Sequence, residues 1–314
     1  MKRSRTFANR DWRVTRTRGS PGGAAVSGGV TVVIATRNRR QELLRTLWRL
    51  HGLVPAPPVV VVDNGSTDGT VQAVREQFTG TVVLALLRNH GAPARNLGVL
   101  AARTPYVAFS DDDSWWAPGA LQRAAAVLDS HPSLGLVAAR TLVGPEERPD
   151  PVTPLMVHSP LPRSPDAPGP SVLGFLACSA VLRRRAFCEV GGFSSVLFFI
   201  GEEQLLCYDL ATAGWDRAYL HDVVAHHHPS VQRTDPQRRR VAELRNAVLT
   251  AVLRRPRPVV IAVATALARR SVCDVAARTA LREALVRLPA ALRRRTVLPP
   301  AVEEQVRMLE NGVR

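Results

Sequence analysis

Lysine is almost missing from this 314-residue chain: Lys2 is the only one, so nearly all of the 42 basic groups are arginines. Cysteine is sparse too. Cys178, Cys188, Cys207 and Cys273 form no C-x-x-C pair, which argues against a zinc ribbon and against a disulfide framework. Thiols left reduced in this way suit a cytoplasmic protein. Long apolar runs are absent. The longest, Pro258 to Ala268, is about half of the roughly 20 residues that a spanning helix needs. No apolar stretch in residues 1–29 resembles the core of a secretory signal. These absences point away from a membrane-spanning or exported protein.

Acidic charge is scarce only at the two ends. Residues 1–29 carry seven basic groups and one acidic group, and residues 233–295 carry 16 and four. Between them, residues 30–232 hold 17 basic and 18 acidic groups and are close to neutral. The excess that gives a formal charge of +16 therefore lies outside the middle. A basic C-terminal region suits an anionic surface, such as lipid headgroups on the inner membrane face or nucleic acid. The plain alternative is a solvated arginine face. Residues 233–295 contain no aromatic residue, and no nucleic-acid motif is present, so specific nucleic-acid binding is not expected.

Residues 1–29, rich in arginine, glycine and serine, read as a disordered tail. Order is expected from Val30. Four short apolar runs follow, at Val30–Ala35, Pro58–Val62, Thr81–Leu87 and Tyr106–Phe109. Their length and β-branched content suit strands buried on both faces. Helical stripes lie between and after them: Leu43, Leu44, Leu47 and Trp48; Val71, Val74 and Phe78; and Leu121, Ala124, Ala125 and Leu128. This alternation predicts an α/β fold with a mainly parallel sheet flanked by helices. Nine prolines between residues 144 and 170 mark a loop. Beyond residue 233 the pattern is helical only, with stripes at Val241, Leu244, Val248, Val252 and at Leu281, Leu285, Leu288, Leu292. The expected division is thus a tail over 1–29, a domain over 30–232 and a basic helical region over 233–314.

Ligands of such sheets bind beyond the C-terminal strand ends, and that is where the acidic residues fall. Asp111, Asp112 and Asp113 follow the fourth run directly. Three adjacent carboxylates repel one another, and a divalent cation bridging a diphosphate is a counter-charge that would hold them ionised. The plain alternative is a polar loop with one aspartate capping the next helix. Asp63 ends the second run, before Asn64-Gly65-Ser66-Thr67-Asp68-Gly69, and could accept from the imino edge of a pyrimidine. Arg95 and Asn96 open a helical segment after Gly91-Ala92-Pro93, where an arginine beside a helix N-terminus suits phosphate.

In this order the three segments resemble the family 2 glycosyltransferases of the GT-A fold. The opening Val33-Ile34-Ala35-Thr36-Arg37-Asn38-Arg39 is similar to that family's first strand and loop, and the resemblance covers about residues 30–230. It implies that Thr36 and Asp63 line the nucleotide base pocket. It implies that Asp111 and Asp113 form the D-x-D pair, with Asp113 a metal ligand and Asp111 or Asp112 touching ribose or sugar. The metal implied is Mn2+ or Mg2+. The donor implied is a UDP-, dTDP- or GDP-sugar, and the acceptor a hydroxyl compound. Val190-Gly191-Gly192-Phe193 looks like the turn that precedes the family's catalytic base. Glu203 then stands where aspartate is usual, and Leu205 where a second acid is common, so the base is Glu203 or Glu202.

His226, His227 and His228 follow a strand-like segment. Some family members supply a further metal ligand at this place. Alternate residues of an extended chain share a face, which favours His226 and His228 over His227. Arg245-Asn246, on a helical stripe, could reach the diphosphate. The resulting expectation is an inverting, metal-dependent glycosyl transfer. A nucleotidyltransferase is the nearer competitor, but it would usually open with a glycine-rich loop bearing lysine, and Thr36-Arg37-Asn38-Arg39-Arg40 has neither residue. A non-catalytic protein that binds nucleotide or nucleic acid is the other.

Overall fold

The computed structural model describes residues 29–230 and 235–312. The tail expected over 1–29 lies, apart from Gly29, outside the described residues, and so does the boundary expected at 232/233. From Val30 the chain alternates β1 (Val30–Thr36), α1 (Arg40–His51), β2 (Val59–Asp63), α2 (Thr70–Gln77), β3 (Val82–Ala85), α3 (Ala94–Ala101) and β4 (Tyr106–Ser110). Then come β5 (Ser114–Trp116), α4 (Ala120–Ser130), β6 (Leu134–Val143), β7 (Arg148–Pro149), α5 (Thr153–Val157), β8 (Ala180–Arg183) and α6 (Arg184–Glu189). The remainder is α7 (Glu202–Thr212), β9 (Asp216–His227), α8 (Pro236–Arg254), α9 (Arg257–Arg270), α10 (Val275–Arg293) and α11 (Pro300–Gly312).

One sheet runs in the order β3-β2-β1-β4-β8-β6-β9-β5, with β7 added beside β6. The expected parallel sheet is its first part, where β3, β2, β1 and β4 are all parallel. Beyond β4 the sheet is mixed. β8 is antiparallel to both neighbours, β6 and β9 are parallel, and β5 is antiparallel to β9. Alternate residues of each central strand feed two cores. Val33, Val107 and Phe109 face one core with α3, α6 and α7, while Val32, Ile34 and Ala108 face the other with α1 and α4. Burial on both faces is the reason the strands carry apolar residues continuously. Gly98 lets α3 lie close on the sheet, because a Cβ there would stand 2.3 Å from Val33 Cγ1.

The C-terminal helices are built into this body. α8, α9 and α10 share a third core with Val196, Leu197 and Leu205 from the segment around the start of α7. The leucine stripe expected on α10 is divided. Ala277, Ala280 and Ala291 are buried in this core and Leu281 and Leu288 pack against it partly buried, whereas Leu285 and Leu292 are exposed. The buried face thus runs along the alanines, with one edge of the leucine stripe beside it. α11 then returns to the first core through Leu298, Val302 and Val306. Among the described residues no helix is long and apolar enough to cross a membrane.

Candidate active site

The C-terminal ends of β1, β2 and β4 lie side by side. Register places Thr36 opposite Asp63 and Ile34 opposite Ser110, so the loop that carries Asp111 to Asp113 opens beside Thr36. Thr36 Oγ1 donates to Asp112 Oδ2 at 2.9 Å, and Arg39 Nη1 donates to Asp112 Oδ1 at 3.1 Å. Burial nevertheless pushes Asp112 up to about 7, helped by the neighbouring charges of Asp111 and Asp113 and only partly offset by Arg39 and Thr36. Asp63 keeps Oδ1 buried with no hydrogen-bond partner among the described residues, while Oδ2 accepts from the Ser66 amide at 3.0 Å. A buried carboxylate oxygen left open is an acceptor waiting for a donor.

Asp113 is the most heavily supported of the three. Burial opposes its charge, but His227, the Ser230 amide and Arg39 hold its carboxyl below the ordinary value. The Ser230 amide lies 2.9 Å from Oδ2 and His227 Nε2 3.3 Å from Oδ1. The same carboxylate raises the His227 imidazole, against the opposing effect of burial. One ligand atom each from Asp111, Asp113 and His227 lies within 4.8 Å of the others. Two carboxylates and an imidazole form a donor set suited to Mn2+ or Mg2+.

The histidine turned to the aspartates is therefore His227, not His226 or His228. The cause is strand register. β9 runs antiparallel to β5 with His227 opposite Ser114 and His226 opposite Trp115. Ser114 is buried toward the site and accepts from the Asp111 amide at 2.7 Å, so the residue across from it faces the aspartates. Trp115 points the other way. His226 stacks on it at 5.4 Å, His228 meets its edge at 4.7 Å, and the Arg49 guanidinium covers the ring at 3.8 Å.

Arg95 and the two glutamates complete the group. Arg95 is buried in the first turn of α3, where it donates to Asp111 Oδ1, and it also feels the charges of Glu202 and Glu203. It is thus turned to carboxylates, where the sequence pointed to phosphate. Burial pushes both Glu202 and Glu203 up. The charge of Glu203 adds to the rise at Glu202, and that of Asp111 at Glu203. Glu202 is buried with Oε2 unpartnered among the described residues, whereas Glu203 is half-buried and receives a hydrogen bond from the Ala177 amide.

Three asparagines tie these loops together. Asn64 accepts from the His90 amide at 2.9 Å and donates to Gly91 O at 3.0 Å. Asn96 accepts from the Phe193 amide and donates to the Phe193 carbonyl, both at 2.9 Å. Asn246 donates to the carbonyls of Leu197, Phe199 and Ile200, so Arg245-Asn246 is turned to the protein backbone, where the sequence pointed to a diphosphate.

Strand-end carboxylates, an arginine and a histidine thus meet at one end of an α/β sheet. The chain belongs to glycosyl transferase family 2, whose model matches residues 31–191. Among curated relatives, the pre-mycofactocin glycosyltransferase of Mycobacterium tuberculosis is 33% identical over 213 residues, covering 63% of this chain and 43% of the relative. The chain thus spans less than half the length of that relative. The N-acetylglucosaminyl-diphospho-decaprenol L-rhamnosyltransferase of the same organism is 28% identical over 231 residues, covering 63% of this chain and 75% of the relative. Among solved structures, a mannosyltransferase from Pyrobaculum calidifontis, in complex with GDP-Man and Mn2+, superposes with a TM-score of 0.56 at 23% identity. It covers 90% of this chain and 79% of its own, and the likeness establishes the GT-A fold.

Proposed function

We propose that the protein moves a sugar from a nucleoside-diphosphate sugar to an acceptor hydroxyl, with inversion at the anomeric carbon. The observation that carries this reading is the meeting of Asp111 with Arg95 beside Glu202 and Glu203, across from Asp113 and His227. In the proposed step the acceptor oxygen bonds to the anomeric carbon as the bond from that carbon to the diphosphate oxygen breaks. The acceptor proton passes to Glu203. Of the two glutamates we favour Glu203, because as a whole residue it is only partly buried while Glu202 is buried. Asp63 offers its open Oδ1 to a base N–H of the donor nucleotide. Arg95 holds Asp111 and shields it from the two glutamates, keeping three carboxylates in one crevice. Asp111, Asp113 and His227 would hold Mn2+ or Mg2+, whose charge when bound offsets the charge that grows on a departing diphosphate.

The donor class we infer is a UDP-, dTDP- or GDP-sugar. A thermal-shift series with UDP, dTDP and GDP, each with and without Mn2+, tests it: one nucleotide together with the ion is expected to raise the melting temperature. Asp113→Ala is expected to remove that shift, and Glu203→Gln to keep it while abolishing turnover. No shift with any nucleotide, or full turnover in both variants, would refute the assignment.

We further infer a cytoplasmic enzyme that rests on an anionic lipid surface. The outward face of α10 supports this. Leu285, Val286 and Leu292 are exposed there with Arg278, Arg282 and Arg293, and the helix's one acidic residue, Glu283, pairs with Arg245 of α8. Apolar side chains that enter the headgroup region beside arginines that meet phosphate are the chemistry of an interfacial helix.

A further inference from the structure

The segment just before α7 follows a path that its residues resist. Phe198 has φ 68°, Ile200 has φ 75°, and Gly201, which caps the helix, has φ 83°. Left-handed backbone is costly for a residue with a Cβ, and most of all for a β-branched one such as isoleucine. Such strain persists only where the surroundings over-determine it. Here the surroundings come from α8. Asn246, buried, directs its amide Nδ2 to three carbonyls of the segment: Ile200 O at 2.6 Å, Phe199 O at 2.7 Å and Leu197 O at 3.2 Å. Arg245 fixes the amide the right way round, since its Nε donates to Asn246 Oδ1 at 2.8 Å. Its Nη2 donates to Leu197 O at 3.1 Å, and its Nη1 is anchored on Glu283 of α10.

The other side of the segment is tied to the loop that starts α3. The Ala92 amide donates to Phe198 O at 2.7 Å. Gly91 permits that approach, because a Cβ there would lie 2.1 Å from the same oxygen. One peptide therefore links the turn that launches Arg95 to the turn that launches Glu202 and Glu203. Hydrogen bonds from Asn246 pull on it from behind.

We propose that Arg245 and Asn246 are positioning residues of the transfer reaction, holding residues 197–200 in a path with left-handed backbone at Phe198 and Ile200 that aims the Glu203 carboxylate from the first turn of α7 toward Arg95 and Asp111. The proposal rests on the reading of Glu203 as the base. A neutral amide with two donors suits the task, because three carbonyls converge on it.

The test uses the full chain with Asn246→Ser, which removes the amide NH2 that reaches the three carbonyls, leaving a shorter hydroxyl and adding no bulk. Hydrogen exchange of amides 197–203 is expected to speed up. Hydrolysis of the donor sugar, with water as acceptor, is expected to fall about a hundredfold in kcat, the loss that a small misplacement brings. Affinity for the nucleoside diphosphate with Mn2+ is expected to stay at the wild-type value. Wild-type kcat, or kcat, nucleotide affinity and melting temperature all falling together, would overturn the proposal. Should Asn246→Ser fail to fold, Arg245→Lys carries the same readouts, with a smaller loss expected because Asn246 stays in place. Glu203→Gln separates the two ideas. Full turnover in that variant would remove Glu203 as base, while loop exchange in Asn246→Ser would still decide whether α8 sets the start of α7.

Discussion

Glu202 and Glu203 are adjacent acids in one helical turn, and burial works against the ionised form of each. Both folded pKa values lie above the unfolded value, so the folded protein holds more protons than the unfolded chain in the interval between them. Ionisation therefore costs stability above the folded pKa, and the cost fades as pH falls toward the ordinary glutamate value of 4.5. Glu202→Gln is expected to melt higher than wild type at mildly alkaline pH and to lose that advantage near the ordinary value; scans across pH check it. Turnover should show the opposite slope. With Glu203 as the base proposed above, the rate should decline on acidification from a point above the usual carboxylate range. Much of this chemistry was legible in the residues, because Asp63 and Asp111 to Asp113 each follow an apolar strand. The histidine that faces the aspartates was not. Alternation groups His226 with His228, but only pairing to β5 decides which parity meets Ser114 and the aspartates.

At the scale of elements, α11 is held to the body by a buried arginine. Arg255 pairs with Glu303 at 2.7 Å, where both side chains are only 7% exposed, and with Glu310 at 2.6 Å, which is 55% exposed. The two bonds look alike in length but differ in surroundings. Removing Glu303 leaves a guanidinium short of a buried partner, expected to cost about 3 kcal/mol. Removing Glu310 exchanges its carboxylate for water at about 1 kcal/mol or less. Urea unfolding of Glu303→Ala and Glu310→Ala measures the difference. The four parallel strands and their helices were readable because each strand carries a continuous apolar run. The antiparallel insertion of β8 was not, since the local pattern Ala180–Arg183 is silent about its neighbours. Nor was the full buried face of α10, where Ala277, Ala280 and Ala291 lie in the core and only Leu281 and Leu288 of the leucine stripe pack beside them.

Across the whole molecule the formal charge of +16 sits on arginine. Many of these guanidinia are spent on structure: Arg95, Arg245, Arg254 and Arg255 are all buried in ion pairs. Arg278, Arg282 and Arg293, on the exposed face of α10, are among those left for solvent or a surface. Co-sedimentation with vesicles is expected when they contain phosphatidylglycerol and not when they are purely phosphatidylcholine. Each of the three arginines changed to glutamine should weaken binding about fivefold at low salt. Equal binding to both vesicle types, or dimerisation through α10 without lipid, would remove the membrane reading.

Asn246 comes after Glu203 in chain order, and the strained turn at Phe198 and Ile200 depends on it. During synthesis the sheet, the aspartates and both glutamates leave the ribosome before α8 does. A nascent chain can thus hold every acidic group of the crevice while the turn that points its base is still slack. Competence for transfer would then arrive late in translation, when the last helices close over the loop.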